Sequence, residues 1–237
     1  MRVVELDGAP VPEELRGSGA HLYSGLRLAG LRAAELGIAL LEAPPGWLAA
    51  LPPELIGRDV ALIPIRDAYG LRGPVFAKFP NSKEMPATVY ADGSRLPGPD
   101  AVDPETLVLV ADPVRFTAEF RLHVLDGAVH AAGQYAADGE QSLVPLEGHP
   151  RRDAVLGFAA DVLAETAHTL PSAIVVDVGP VHRPVDGERW AVIEANGAWG
   201  SGCYAADPQR ALDVVLRASV PFDALSDHDR RFVRPGR

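Results

Sequence analysis

The chain has 237 residues, 47% of them hydrophobic, and a formal net charge of −10 at pH 7. That is apolar material enough for one large domain or two modest lobes, and it excludes a disordered chain. The acidic balance excludes nonspecific coating of nucleic acid, and a single cysteine, Cys203, excludes an internal disulfide framework and a cysteine-based zinc site.

In chain order, MRVVEL is a candidate first strand. SGLRLAGLRAAELG predicts a helix with Leu26, Leu28, Leu31 and Leu36 as its apolar side and Gly37 as its stop. IALLEA predicts a strand, 47–57 a short helical connection, and DVALIPI another strand. GPVFAKF and PETLVLVADPV are strand-like, separated by the loop NSKEMPATVYADGSRLPGPDAV with short extended structure. EFRLHVLDGAVHAAGQY predicts a hairpin turning at Asp126-Gly127. RRDAVLGFAADVLAETAHTL predicts a long helix, followed by the strands AIVVDVGPV and WAVIEANG with a turn signal at Asp186-Gly187. DPQRALDVVLRA predicts a late helix, and RFVRPGR an exposed tail. Hairpins with helices indicate an α+β lobe rather than one open parallel sheet.

No stretch is long and apolar enough to span a membrane, and the first residues lack the apolar region of a secretory signal, so a cytoplasmic location is expected. GSGAHLYSG lacks the spacing of the common glycine-rich nucleotide fingerprints. The histidines show no compact metal-binding arrangement, and no nucleophile-elbow element is present. Cys203 reads more readily as a small core thiol than as a cleft group.

The chain's two lysines, Lys78 and Lys83, both lie in VFAKFPNSK, while arginine supplies the other basic side chains. Compositional bias explains their scarcity. Their proximity fits phosphate chemistry, for which a compact mobile ammonium suits better than a planar fork. In AEFRLHV, alternation puts Glu119, Arg121 and His123 on one strand face, facing either a cleft or solvent. Asp177 lies inside the apolar run IVVDVG, where an unpaired carboxylate is costly. Glu194 and Asn196 share a face in VIEANG, and a turn joining the two strands would bring Asp177 to them. Two carboxylates and an amide oxygen suit Mg²⁺. The alternative is a hydrogen-bonded polar face beside Arg121 or Arg189.

In this order, Lys, Lys, Glu-x-Arg, Asp and Glu-x-Asn resemble the ATP-grasp superfamily, particularly its compact R2K-type members, from about Pro74 to Asp207. The resemblance implies an α/β N-terminal unit plus an α+β ATP-grasp fold, whose two lobes hold a nucleotide cleft and whose C-terminal lobe is an antiparallel sheet. The implied division is a reduced preceding domain over 1–73, a small lobe over 74–112, a large lobe over 113–219 and a tail over 220–237. Lys78 and Lys83 would contact ATP phosphates, Asp112 would lie near the adenine edge, and Glu119 would bind ribose. Arg121 would face phosphate or a developing acyl phosphate, making Lys83 and Arg121 the catalytic candidates. Asp177, Glu194 and Asn196 match the family's magnesium ligands, with Mn²⁺ a substitute. Many amide ligases of the superfamily carry an arginine two residues before the metal-binding aspartate, where this chain has Val175.

The resemblance implies an ATP-dependent ligase that joins a carboxylate to an amine-like or thiol nucleophile through an acyl phosphate, with an amino acid or peptide among the candidate substrates. The alternatives are an ATP-grasp phosphotransferase and a noncatalytic nucleotide- or peptide-binding module. His123, His130, Tyr135, Trp199, Ser201 and Tyr204 are candidates for the acceptor pocket, with Tyr135 and Tyr204 favoured.

Overall fold

The computed structural model describes residues 2–6, 9–183 and 187–235. Residues 2–6 form no strand, against expectation, and Val3 is 74% exposed. A strand needs a paired ladder as well as apolar residues, and this segment forms none. The first helix, α1 (Leu26–Leu36), ends at Gly37 in the left-handed conformation, whose N–H reaches the Ala33 and Ala34 carbonyls. Its inward residues are Ala29, Ala33 and Leu36, whereas Leu28 and Leu31 are exposed. The leucine stripe expected to pack is thus only partly the packed one, and the Leu26 side chain lies outside the described ones. Small residues face inward where the helix lies on the next strand, β1 (Ile38–Leu40).

A 3-10 turn at 48–50 and α2 (Pro53–Ile56) make the expected helical connection to β2 (Val60–Pro64), which runs into α3 (Ile65–Ala68). Then come β3 (Val75–Lys78), the short β4 (Thr88–Tyr90) and β5 (Leu107–Ala111). The hairpin β6 (Ala118–Leu125) and β7 (Ala128–Ala137) turns at Asp126-Gly127 as expected, both residues having positive φ. Asp138-Gly139 makes a second such turn into β8 (Glu140–Pro145), a strand the sequence reading left out. The chain continues through α4 (Arg152–Thr166), β9 (Ala173–Arg183), β10 (Gly187–Asn196), α5 (Pro208–Ala218) and β11 (Ser219–Pro221). Asp186 of the expected Asp186-Gly187 turn lies outside the described residues. Asp207 caps α5 by accepting from the Arg210 N–H, with Pro208 in the first turn.

The strands form an antiparallel five-stranded sheet in the order β10-β9-β6-β7-β8, an antiparallel four-stranded sheet in the order β2-β5-β3-β4, and the pair β1-β11. These pairings cross the boundary expected at residue 73, since β2 belongs to the four-stranded sheet and β1 pairs with β11. Alternation along β9 divides the core. Ile174, Val176 and Val178 pack toward α4, while Ala173 and Val175 pack toward α1 and α5. Asp177 follows Ala173 and Val175 in that alternation, so it belongs to the α5 side.

The last segment is not a free tail. Val233 bridges to Leu41, Phe232 is buried, and Arg234 donates to Glu42 Oε2 at 2.5 Å and to the Asn81 carbonyl at 3.2 Å. Arg234 thereby ties the end of the chain to the start of the loop that carries Lys83; Gly236 and Arg237 lie outside the described residues. Among the described residues no helix is long and apolar enough to cross a membrane.

Candidate active site

Three adjacent strands bring three charged residues into one row. Arg121 on β6 is the register partner of Asp177 on β9, which is the partner of Glu194 on β10. The last pairing depends on a β-bulge between Val192 and Glu194. The inserted residue, Ile193, changes which side chains of β10 share a face with Asp177. Arg58, just before β2, holds this irregularity, donating to the carbonyls of Val192 at 2.9 Å and Ile193 at 3.1 Å. Burial lowers the Arg58 pKa to about 10, which the Glu194 charge partly opposes.

Arg121 meets Asp177 as a fork, Nε to Oδ1 at 2.9 Å and Nη2 to Oδ2 at 2.7 Å. This is the pairing that the polar-face reading of Asp177 anticipated. Such two-point pairing compensates a carboxylate that is 0% exposed. Burial still pushes Asp177 up to about 6, against the pull of Arg121. Burial also opposes the Arg121 charge, but Asp177 outweighs it and holds the guanidinium above its ordinary value. The guanidinium lies over Tyr204 at 4.8 Å and Tyr135 at 5.3 Å from the ring centroids, and the two rings stack on each other. Tyr135 donates to Glu119 Oε2 at 2.5 Å. Burial, with the Asp177 and Glu119 charges, raises the Tyr135 phenol, so it stays a donor. Arg121 Nη1 also donates to the Gly202 carbonyl at 3.3 Å.

From the other sheet, Lys78 at the end of β3 pairs with Glu194 Oε2, while the Asn196 amide donates to Oε1 at 2.7 Å. Burial acts to raise Glu194, but Lys78 and Asn196 outweigh it and hold the carboxyl below its usual range. Lys78 thus joins the two sheets at the site.

In donor chemistry, Asp177, Glu194 and Asn196 could hold a hard divalent cation: two carboxylates and an amide on neighbouring strands. Among the described residues no three His, Cys, Asp or Glu side chains are grouped for a metal, so the Asn196 amide is needed as third donor. The ion would share Glu194 with Lys78 and Asp177 with Arg121.

The other expected residues are more dispersed. Lys83 is exposed in the loop between β3 and β4. Asp112 is exposed just after β5, with Oδ2 accepting from the Asp59 N–H at 3.4 Å. His130 lies apart, beside Asp213 at 3.0 Å. Trp199 is core, its indole N–H donating to the Leu41 carbonyl at 2.8 Å. Ser201 is buried and donates to the Gly197 carbonyl, and Cys203 is half-buried rather than a core thiol. His123 is 0% exposed, and burial with the Arg121 charge lowers it to about 4, which leaves a neutral imidazole. Sequence reasoning missed Arg58 and Arg234. Neither carries a local signal, because both act on backbone or side chains far away in sequence.

The family described as "ATP-grasp domain, R2K clade family 2" matches residues 55–214. Among solved structures, the chain is similar to a RimK-domain ATP-grasp protein from Sphaerobacter thermophilus, at 18% identity over 81% of this chain and 65% of that one, TM-score 0.42. It is also similar to D-alanine–D-alanine ligase from Bacillus anthracis complexed with ATP, at 15% identity over 69% and 56%, TM-score 0.39. The ATP-grasp ligase PsnB, complexed with a minimal precursor, matches at 15% identity over 81% and 58%, TM-score 0.39. The chain therefore spans less than two thirds of each of these structures. No curated protein matches it.

Proposed function

The chain belongs to the R2K clade of the ATP-grasp domains, and from that premise we propose that it is an ATP-dependent ligase joining a carboxylate to an amine or thiol. The observation that best supports this is the meeting of Lys78 from the four-stranded sheet with Glu194 of the five-stranded sheet, in the row that continues to Asp177 and Arg121. Both signs of charge converge there from two sheets, as handling a triphosphate requires. The nucleotide would lie between a small lobe over 74–112, which borrows β2 from the opening unit over 1–73, and a large lobe over 113–219. Residues 220–237 would brace the opening unit.

In the first step a carboxylate oxygen attacks the γ-phosphorus, the bond to the bridging oxygen breaks, and ADP leaves. In the second, the nucleophile attacks the acyl carbon, the carbon–oxygen bond to phosphate breaks, and the nucleophile loses its proton. Both partners of the first step are anionic, so the protein must offset charge and hold them in line. Lys78 and Arg121 supply positive charge from ordered positions, and Lys83 adds a mobile ammonium from its loop. Glu119, oriented by Tyr135, binds ribose, and the backbone around Asp112 meets adenine. Asp177, Glu194 and Asn196 would hold Mg²⁺, or Mn²⁺ in its place; bound there, the ion offsets charge on phosphate oxygens.

The test is to incubate the full chain with ATP and magnesium, adding carboxylic acids and amines in pairs, and to measure ADP and phosphate. Release of both, dependent on the pair, is expected. A product that keeps the phosphoryl group would make this a phosphotransferase, and tight nucleotide binding without ADP release would make it a noncatalytic module.

A further inference from the structure

A cavity of about 920 Å³ adjoins this site on the α5 side of the five-stranded sheet. It is walled by residues 2–6, residues 19–24, α1 and α5, and its size is that of a small-molecule pocket. Leu22, Leu28, Leu212 and Leu216 line it, so the exposed Leu28 that contributes little to the core faces this space. His123 also lines it. The imidazole is fully buried, yet neither Nδ1 nor Nε2 has a hydrogen-bond partner among the described residues. Buried polar atoms are seldom left so, because each unmade bond costs about 1–3 kcal/mol. A neutral ring carries one donor and one acceptor, and because both nitrogens are sealed from solvent, a molecule in the cavity meets them as the wall around the ring gives way.

Ser201 and Cys203 line the same cavity, and the Gly202 carbonyl between them accepts from Arg121. A molecule with its apolar body in the cavity would keep a charged end out of the leucine-lined depth. Arg2, Glu5 and Arg32 also line the cavity; the end near Ser201 and Cys203 is the one that lies beside the Arg121 guanidinium.

We propose that this cavity takes the carboxylic acid substrate, a small acid with a branched aliphatic or aromatic body and one polar substituent that hydrogen-bonds His123. The proposal rests on the ligase reading for the word substrate, but the binding it describes can be measured without turnover. L-Leucine and L-phenylalanine are the apolar probes, glycine and L-aspartate the controls. Each is titrated calorimetrically into the full chain with magnesium and a nonhydrolysable ATP analogue, and ADP release is followed separately with ATP and an amine.

At least one apolar acid should bind at least tenfold more tightly than either control. His123→Phe, which keeps the ring volume but removes both nitrogens, and Leu216→Trp, which adds bulk to the α5 wall, should each weaken that binding at least tenfold. Nucleotide affinity should change less than threefold. If His123→Phe fails to fold, Leu216→Trp carries the test. Failure of both apolar acids to bind, equal binding of the controls, or unchanged binding in the folded variants overturns the proposal. Binding with the expected losses but no ADP release keeps the cavity assignment and overturns the ligase reading. ADP release with controls alone, unaffected by either variant, does the reverse.

Discussion

Glu194 stands across from Asp177 because β10 carries one extra residue, Ile193, just before it. Continuing the pairing of Val192 with Val178 without that insertion would put Ile193 opposite Asp177 and send Glu194 to the other sheet face. Arg58 grips the carbonyls of Val192 and Ile193 and so keeps the extra residue where it is. Arg58→Met should cost about 1–2 kcal/mol of stability. It should also weaken magnesium-dependent nucleotide binding roughly tenfold, equivalent to about 1.4 kcal/mol. Urea unfolding and calorimetry check the two effects, and unchanged nucleotide binding would show that the bulge holds without this clamp.

The Arg121–Asp177 fork predicts strong non-additivity. Arg121→Met leaves a buried carboxylate unpaired and should cost about 3–5 kcal/mol. Adding Asp177→Leu removes that orphaned charge and should recover most of the loss. Additive losses in urea unfolding would mean that the two charges are not coupled.

Lys78→Met should weaken ATP binding at least tenfold, about 1.4 kcal/mol or more. Its stability cost should be smaller than that of Arg121→Met, because both Lys78 and Glu194 keep some solvent contact. Normal ATP affinity in a folded Lys78→Met protein would move phosphate recognition elsewhere.

Gly133 faces the backbone that leads into α5. A Cβ there would come within 2.7 Å of the Ala205 carbonyl carbon and 2.9 Å of the Ala206 nitrogen. Gly133→Ala should cost about 1–3 kcal/mol by forcing that backbone away. Because Tyr204 immediately precedes it, the stack on Tyr135 and Arg121 should loosen, which near-ultraviolet circular dichroism reads. An unchanged aromatic spectrum with full stability would contradict this packing.

His123 gives a pH dependence of defined sign. Burial beside Arg121 lowers it from 6.5 to about 4. Between those values the unfolded chain binds the proton that the folded chain refuses. The stability contributed by the neutral ring is therefore complete above the unfolded pKa and is lost as pH falls toward 4. The total is about 3 kcal/mol. His123→Phe should flatten the stability–pH curve over that window relative to the parent, and parallel curves would show that His123 titrates normally.

Much of the element order is local and therefore legible. Asp126-Gly127 marks a hairpin because both residues tolerate positive φ, and Gly37 ends α1 for the same reason. Asp138-Gly139 carries the same local signal for the turn into β8. Leu28 and Leu31 misled because a leucine stripe at helical spacing says that one face is apolar, not which neighbour covers it. MRVVEL misled because apolar content does not supply a partner strand.

By itself the sequence determined which residues could do chemistry: Lys78 and Lys83 as its two ammonium groups, Asp177 as a carboxylate no apolar strand would carry without compensation, and the alternation that put Glu194 beside Asn196. Only the tertiary structure decided which of them meet. Ile193 sets the register, Arg58 and Arg234 reach far along the chain, and Lys78 crosses between sheets while Lys83 stays exposed on its loop. The reason is range. Backbone preference and side-chain periodicity act over a few residues, whereas ion pairing and desolvation act between whatever the packed chain brings within a few ångströms.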